Sequence, residues 1–370
     1  MRWLCFGVVS ALSIVSLAAA QEPQALGPPS ARLAHEFTRI SAVRELADGR
    51  TLVADAGDRR LYVADWTTGA VTQVGREGQG PAEYLGLGPL FPLAADSTLL
   101  VDVVGSRYLV LLGDSIVETV SSGSPAHLAG ARAPIGAGGP GWVITTRSMG
   151  ASSNPRPAAM PARMDSVHLV RVHRVRGASD TLVTIMARPS RITFRGPREA
   201  PTAIEVSSNP LAAGDAAVMW PDGWVAVARQ FPYRVDWITP TQGLVEGNAI
   251  PFERRQLTEA DKRGAMQRLA AARGREPADP AGRDDWPEFL PPFLPGAVVA
   301  AADGRAWIRR APEPGRRETV YDIVDREARR LSRVTVGPAT QVIAVAGQAA
   351  YVVMTDDDGL QFLQRHPLPR

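Results

Sequence analysis

Cysteine is almost missing from this chain of 370 residues: the single one, Cys5, lies inside the first apolar stretch. Downstream of it a disulfide framework and a cysteine nucleophile are both excluded, so stability has to come from a packed core. Lysine is as scarce. Lys262 stands alone, and the rest of the 41 basic residues are arginine. The 38 acidic residues leave a net charge of only +3, and no basic block carries interleaved aromatics, so nucleic acid is not an expected partner. Histidines 35, 127, 168, 173 and 366 are too scattered for a zinc set. His168 and His173 lie five apart on an expected strand and so face opposite ways. No Gly-x-Ser-x-Gly elbow occurs, which leaves an α/β-hydrolase nucleophile without support. After residue 20 no run is apolar enough to cross a bilayer, which takes roughly 20 residues.

What is present begins with an export signal. Arg2 supplies a positive start, Trp3 to Leu17 is apolar apart from small residues, and Ala18-Ala19-Ala20 offers the small side chains a signal peptidase needs. Residues 1–20 therefore read as a signal peptide, with periplasmic or extracellular delivery and no membrane span once it is removed. Residues 21–34 read as a flexible N-terminal segment, and 35–370 as one folded domain.

That domain repeats. A turn followed by a short β-rich run occurs at Asp48–Asp55, Asp96–Asp102, Gly141–Arg147, Asp222–Arg229, Asp303–Arg310 and Gly347–Met354. A second apolar strand follows each, as at Leu61–Ala64, Tyr108–Leu112, Val167–Val175, Arg234–Ile238, Thr319–Val324 and Leu360–Gln364. Such strands cannot bury both faces alone, whereas small sheets packed face to face around an axis can. The expected fold is all-β, a six-bladed β-propeller with about 55 residues per unit, above the usual 40 to 50 of one blade because of insertions. Part of Phe37–Leu46 is expected to add the outer strand of the last blade and close the ring.

Two stretches interrupt the pattern. Ser148–Pro161, rich in Ser, Pro and Ala, reads as a mobile surface loop. Residues 254–295, between blades four and five, contain one helix and then a Pro-rich aromatic run. Thr258 is its expected N-cap, answered by Asp261; Ala265, Met266, Leu269 and Ala270 form the apolar stripe; Gly274 ends it.

Val53-Ala-Asp55 with Arg60-Leu-Tyr-Val-Ala-Asp65 resembles the strand, turn and strand of an NHL repeat. Gly75–Tyr84 resembles the glycine-rich connection of exported bacterial six-bladed propellers, and the chain is similar to that family over roughly residues 35 to 366. The resemblance implies fold and export. It implies no activity, since one scaffold carries many functions.

In the repeat alignment Asp55, Asp102, Arg147, Arg229 and Arg310 share one position, which in the resembling propellers lies near the mouth of the central channel. Arginines there suit a grip on a carboxylate, phosphate or sugar acid. The plainer reading is that Asp55 and Asp102 cap turns and pair with Arg60 and Arg107. Trp142, Trp224 and Trp307 read as blade packing or as sugar platforms, and Asp356-Asp-Asp-Gly359 as a polar hairpin turn. Two functions stand. One is a non-catalytic module binding an anionic small molecule, a glycan or a protein. The other is a lactonase-like hydrolase or lyase with calcium in the channel, drawing on Glu205, Asn209 and Asp102. The second needs three carboxylate or amide oxygens about one point; the first needs arginines and aromatics.

Overall fold

Runs such as Thr51–Asp55 and Arg107–Leu112 combine β-branched, leucine and tyrosine residues between tight turns, and they are buried on both faces. In a computed structural model that describes residues 23–93, 96–120, 134–139, 141–148, 166–174, 176–195, 203–273, 275–313 and 315–369, they are middle strands of small sheets. Residues 1–20, expected from the sequence to be a signal peptide, lie outside the described residues, as does the expected loop beyond Ser148.

The chain opens with two short strands, β1 (Gln24–Ala25) and β2 (Ala31–Arg32). Blade 1 follows with β3 (Ile40–Glu45), β4 (Thr51–Asp55), β5 (Arg60–Ala64) and β6 (Val71–Val74). The glycine-rich connection contributes β7 (Arg76–Glu77) and β8 (Glu83–Tyr84). Blade 2 is β9 (Leu87–Pro92), β10 (Ser97–Asp102), β11 (Arg107–Leu112) and β12 (Ser115–Val120). Blade 3 is β13 (Gly136–Gly138), β14 (Trp142–Ser148), β15 (Ser166–His173) and β16 (Ser179–Met186). A hairpin of β17 (Ser190–Arg195) and β18 (Ala203–Ser208) precedes blade 4, made of β19 (Ala216–Met219), β20 (Val225–Gln230), β21 (Tyr233–Thr239) and β22 (Gly243–Val245). Helix α1 (Glu259–Arg273) leads to blade 5, with β23 (Phe293–Ala300), β24 (Ala306–Arg310), β25 (Thr319–Val324) and β26 (Arg330–Val336). Blade 6 holds β27 (Thr340–Ala346), β28 (Ala349–Thr355) and β29 (Gln361–Pro367).

In every blade the chain runs antiparallel from one side of the sheet to the other. The first strands form the hub: β3 touches β9, then β13, β19, β23 and β27 follow in turn, and β27 returns to β3. That closed circuit makes the protein a six-bladed propeller. The turn-plus-strand units read from the sequence are the second strands of the six blades, and the apolar runs after them are the third strands. Between neighbouring blades the facing side chains interdigitate, as Leu52, Leu61 and Tyr84 do with Leu100 and Leu109. Each such fully buried side chain contributes about 1.5–3 kcal/mol.

Closure differs from expectation in its residues. The outer strand of blade 6 is β2, antiparallel to β29, with Ala31 opposite Arg365. Phe37 adds only a bridge to Gln361, and Ile40–Glu45 is the inner strand of blade 1. The segment expected to be flexible is therefore pinned where it is described. β1 pairs parallel with β26 of blade 5, and Leu33 is buried against blade 6.

The helix forms where the sequence places it. The Thr258 hydroxyl accepts from the Asp261 backbone N–H, and the Asp261 carboxylate accepts from the Thr258 backbone N–H at 2.9 Å, a reciprocal cap. Ala265 packs with Leu211, Leu290 and Ala311, so the helix lies on the junction of blades 4 and 5. The β17–β18 hairpin was not foreseen.

Antiparallel order sends every connection from an outermost strand to the next blade to one rim, together with the turns between second and third strands. The glycine-rich connection, the β17–β18 hairpin and the α1 insertion all leave from this rim. Among the described residues the opposite rim has short turns, such as 46–50, 113–114 and 240–242.

Candidate functional site

Asp55, Asp102, Arg147, Arg229 and Arg310 all lie at or near the end of the second strand of their blades, at the elaborated rim. Each is on the sheet face turned to the preceding blade. Arg229 follows Val225 and Val227 in alternation, and Arg310 follows Ala306 and Ile308. The shared register is real. Among the described residues no hydrogen bond or ion pair joins any two of the five.

The two aspartates are occupied by backbone. Asp55 is 1% exposed and accepts from the N–H groups of Thr38 (2.7 Å), Arg39 (2.8 Å), Gly57 (2.9 Å) and Asp58 (3.3 Å). It thereby ties the entry of β3 to the turn after β4. Gly57 is needed there, because a Cβ would come within 2.4 Å of Thr38. Arg60, its expected partner, turns to Tyr62 instead. Asp102 repeats the device on Leu85, Gly86 and Gly105, and here Arg107 does join, its Nε 2.9 Å from Oδ2. Burial alone would raise the Asp102 pKa, but these N–H donors and Arg107 together hold it below the ordinary carboxylate value. Arg107 also donates to the carbonyls of Gln79, Gly78 and Glu83, so the glycine-rich connection is folded around one guanidinium.

Two of the three arginines are held by acids. Arg229 donates to Asp236 at 2.8 Å and to Asp215 at 3.0 Å. Burial works against its charge, yet the bonds to Asp236 and Asp215 leave its pKa raised. Arg310 donates to Asp322 at 3.2 Å. The geometry repeats between the blades. Asp236 is paired across the strands with Val227, two residues before Arg229; Asp322 is paired with Ile308, two before Arg310. Each arginine thus meets its acid on a diagonal.

Blade 3 breaks this rule. Two residues before Arg147 is Thr145, and its cross-strand partner is Val170. A valine stands where blades 4 and 5 place a carboxylate. Arg147 is half-buried, its Nε is shielded from solvent, and it has no hydrogen-bond partner there. The sequence reading missed Asp215, Asp236 and Asp322. Its one available sign was a lone acid in the middle of the apolar third-strand runs around Asp236 and Asp322.

Two of the three residues named for calcium, Asp102 and Asn209, have their oxygens engaged within the protein. Both Asp102 oxygens are taken by N–H donors and a guanidinium. The Asn209 amide donates to the Asp285 carbonyl at 3.0 Å, and its oxygen accepts from Leu211 at 2.8 Å. The Glu205 side chain lies outside what is described. No three His, Cys, Asp or Glu side chains gather about one point among the described residues. Asp356 closes a hairpin turn by accepting from Asp358 and Leu360. The tryptophans pack: Trp307 is 2% exposed, while Trp142 and Trp224 are covered by the guanidiniums of Arg171 and Arg326. Among the described residues no helix is long and apolar enough to cross a membrane.

No protein-family model matches the chain, and no curated protein matches it. Similar solved structures include a protein of unknown function from Bacteroides thetaiotaomicron, 10% identical, over 93% of this chain and 73% of that one, with a TM-score of 0.44. Regucalcin, a calcium-binding protein from Agrobacterium tumefaciens, is 14% identical over 94% and 99% of the two chains, with a TM-score of 0.41. Virginiamycin B lyase from Staphylococcus aureus is 10% identical over 91% and 98%, with a TM-score of 0.42. None of these likenesses transfers an activity to this chain.

Proposed function

We propose that this chain is an exported, non-catalytic binding module that takes an anionic group of a small molecule, glycan or protein at its elaborated rim, with Arg147 as the anchor. One observation carries the reading: Arg147 shares its register with Arg229 and Arg310 but faces Val170 where they face Asp236 and Asp322. A guanidinium without an internal acid keeps its fork of donors for an external one. Export rests on residues 1–20. Asp55, Asp102, Arg229 and Arg310 serve as the frame of the rim. The hydrolase reading draws less support, because the Asp102 and Asn209 oxygens it would use are already engaged.

The test is equilibrium binding of glucuronate, an oligogalacturonate and a glutamate-rich peptide to the wild type, Arg147→Gln and Arg147→Lys. At least one probe is expected to bind the wild type, and Arg147→Gln to weaken it by about tenfold or more, the loss of a charge-assisted pair. Its melting temperature is expected to stay within about 2 °C, since no acidic partner among the described residues is lost. Equal binding by Arg147→Gln, or no binding of any probe, overturns the assignment.

A further inference from the structure

Asp322 is fully buried where blade 5 meets blade 4, and more positive charge surrounds it than it neutralises. Its Oδ2 accepts from the Tyr233 hydroxyl at 2.8 Å and from Arg310 at 3.2 Å. Its Oδ1 accepts from Arg333 Nε at 3.0 Å, with Arg330 Nη1 farther off at 3.8 Å. Arg310 also lies over the rings of Phe252 and Tyr233, at 4.9 and 5.5 Å. Among the described residues no second carboxylate pairs with Arg310, Arg330 or Arg333, so three guanidiniums share one acid.

The corresponding cluster in blade 4 is balanced. Arg229 and Arg234 share Asp236, but Arg229 also has Asp215, and Arg234 has Glu246 at 3.4 Å. Blade 5 has no counterpart to those extra acids, and its cluster depends on an irregular strand. Arg330 and Arg333 are three residues apart, and regular alternation would put them on opposite faces. The pairing of β25 with β26 shifts between Ile323 and Val324, which sets Arg333 opposite Asp322 and Arg330 opposite Val324, on one face. Arg330 Nη1 is shielded from solvent and has no hydrogen-bond partner. A buried donor left unmade is costly, and an acceptor that reaches it is correspondingly favoured.

We propose that this junction of blades 4 and 5 is a specific site for a doubly charged oxyanion of the phosphate or sulfate kind, gripped by Arg330 and Arg333. Two uncompensated positive charges match a dianion, and guanidinium forks match its oxygens. The anion enters from the side of the propeller. The Arg330 and Arg333 side chains keep 20% and 23% of their surface exposed, whereas Arg310 keeps 10% and Asp322 none. Arg310, fixed by Asp322 and the two rings, forms the floor. The site lies on a different blade from Arg147 and does not depend on it.

Titration calorimetry with sodium phosphate and sodium sulfate, against chloride at matched ionic strength, tests this on the purified protein. The wild type and Arg59→Gln, which removes an exposed arginine of blade 1, are expected to take up the anion with equal affinity. Arg330→Gln is expected to bind about tenfold more weakly, the loss of one charge-assisted bond. Circular dichroism reports whether Arg330→Gln keeps its sheets. If it does not, Arg330→Lys, which keeps the charge and loses the fork, takes its place and must weaken binding severalfold. An absence of uptake beyond chloride, or wild-type affinity in the Arg330 variant, overturns the site. Equal loss of uptake in Arg59→Gln marks a general charge effect and overturns it as well.

Discussion

Arg229 and Arg147 hold the same place in successive blades, yet removing them has different consequences. Arg229→Ala strands Asp215, whose side chain is 6% exposed, and leaves the fully buried Asp236 with Arg234 alone. A stranded buried charge costs about 3–5 kcal/mol. Arg147→Ala removes no acidic partner among the described residues and is expected to cost under about 1 kcal/mol. Urea unfolding of the two variants measures the difference; equal destabilisation removes the distinction between held and unheld arginines. Asp102→Asn belongs with Arg229, since it takes the counter-charge from the buried Arg107 under the glycine-rich connection, and about 3 kcal/mol is expected. At this scale the sequence showed which positions correspond, because turns and strand lengths repeat. It did not show which of them were already satisfied. That depends on diagonal neighbours such as Val170 and Asp236, which lie on the next strand and come into reach only through register.

The α1 insertion was readable as an element because its cap, stripe and stop are local. Asp261 is its most sensitive residue. Hydrogen bonds from Arg255, then from Thr258, bring its pKa down to about 2 in the folded chain. An unfolded aspartate titrates near 3.9, so the folded value is the lower one. The stability it contributes is therefore complete above about pH 4 and disappears as the pH falls toward 2. Asp261→Asn is expected to cost about 1 kcal/mol near pH 5, the usual worth of a cap. Thermal melts of both proteins between pH 5 and 2 should converge; a gap that stays constant rules out the carboxylate as its source. The β17–β18 hairpin is equally local, with alternation in Arg191–Arg195 and Ala203–Ser207. It went unread because it has no place in a sixfold repeat.

For the whole molecule, the repeat was enough to count blades, since six copies of one two-strand unit have few other ways to bury their faces. The closing strand was misplaced because Ala31-Arg32 has no strand-like pattern; only its position beside β29 makes it one. Its anchor is Leu33, 1% exposed between blades 6 and 1. Leu33→Ala is expected to cost about 3 kcal/mol, and a chain beginning at Glu36 more than that. Unchanged melting temperatures in both would mean that the ring holds without its N-terminal strand. The same geometry bears on how the chain comes to be folded. Ser30 bonds to Arg365 across 335 positions of sequence. A nascent chain therefore exists as an arc whose two end sheets have sticky, unmatched sides until the final residues emerge. Such distant pairing makes for slow maturation and for a window in which arcs from two molecules can join each other.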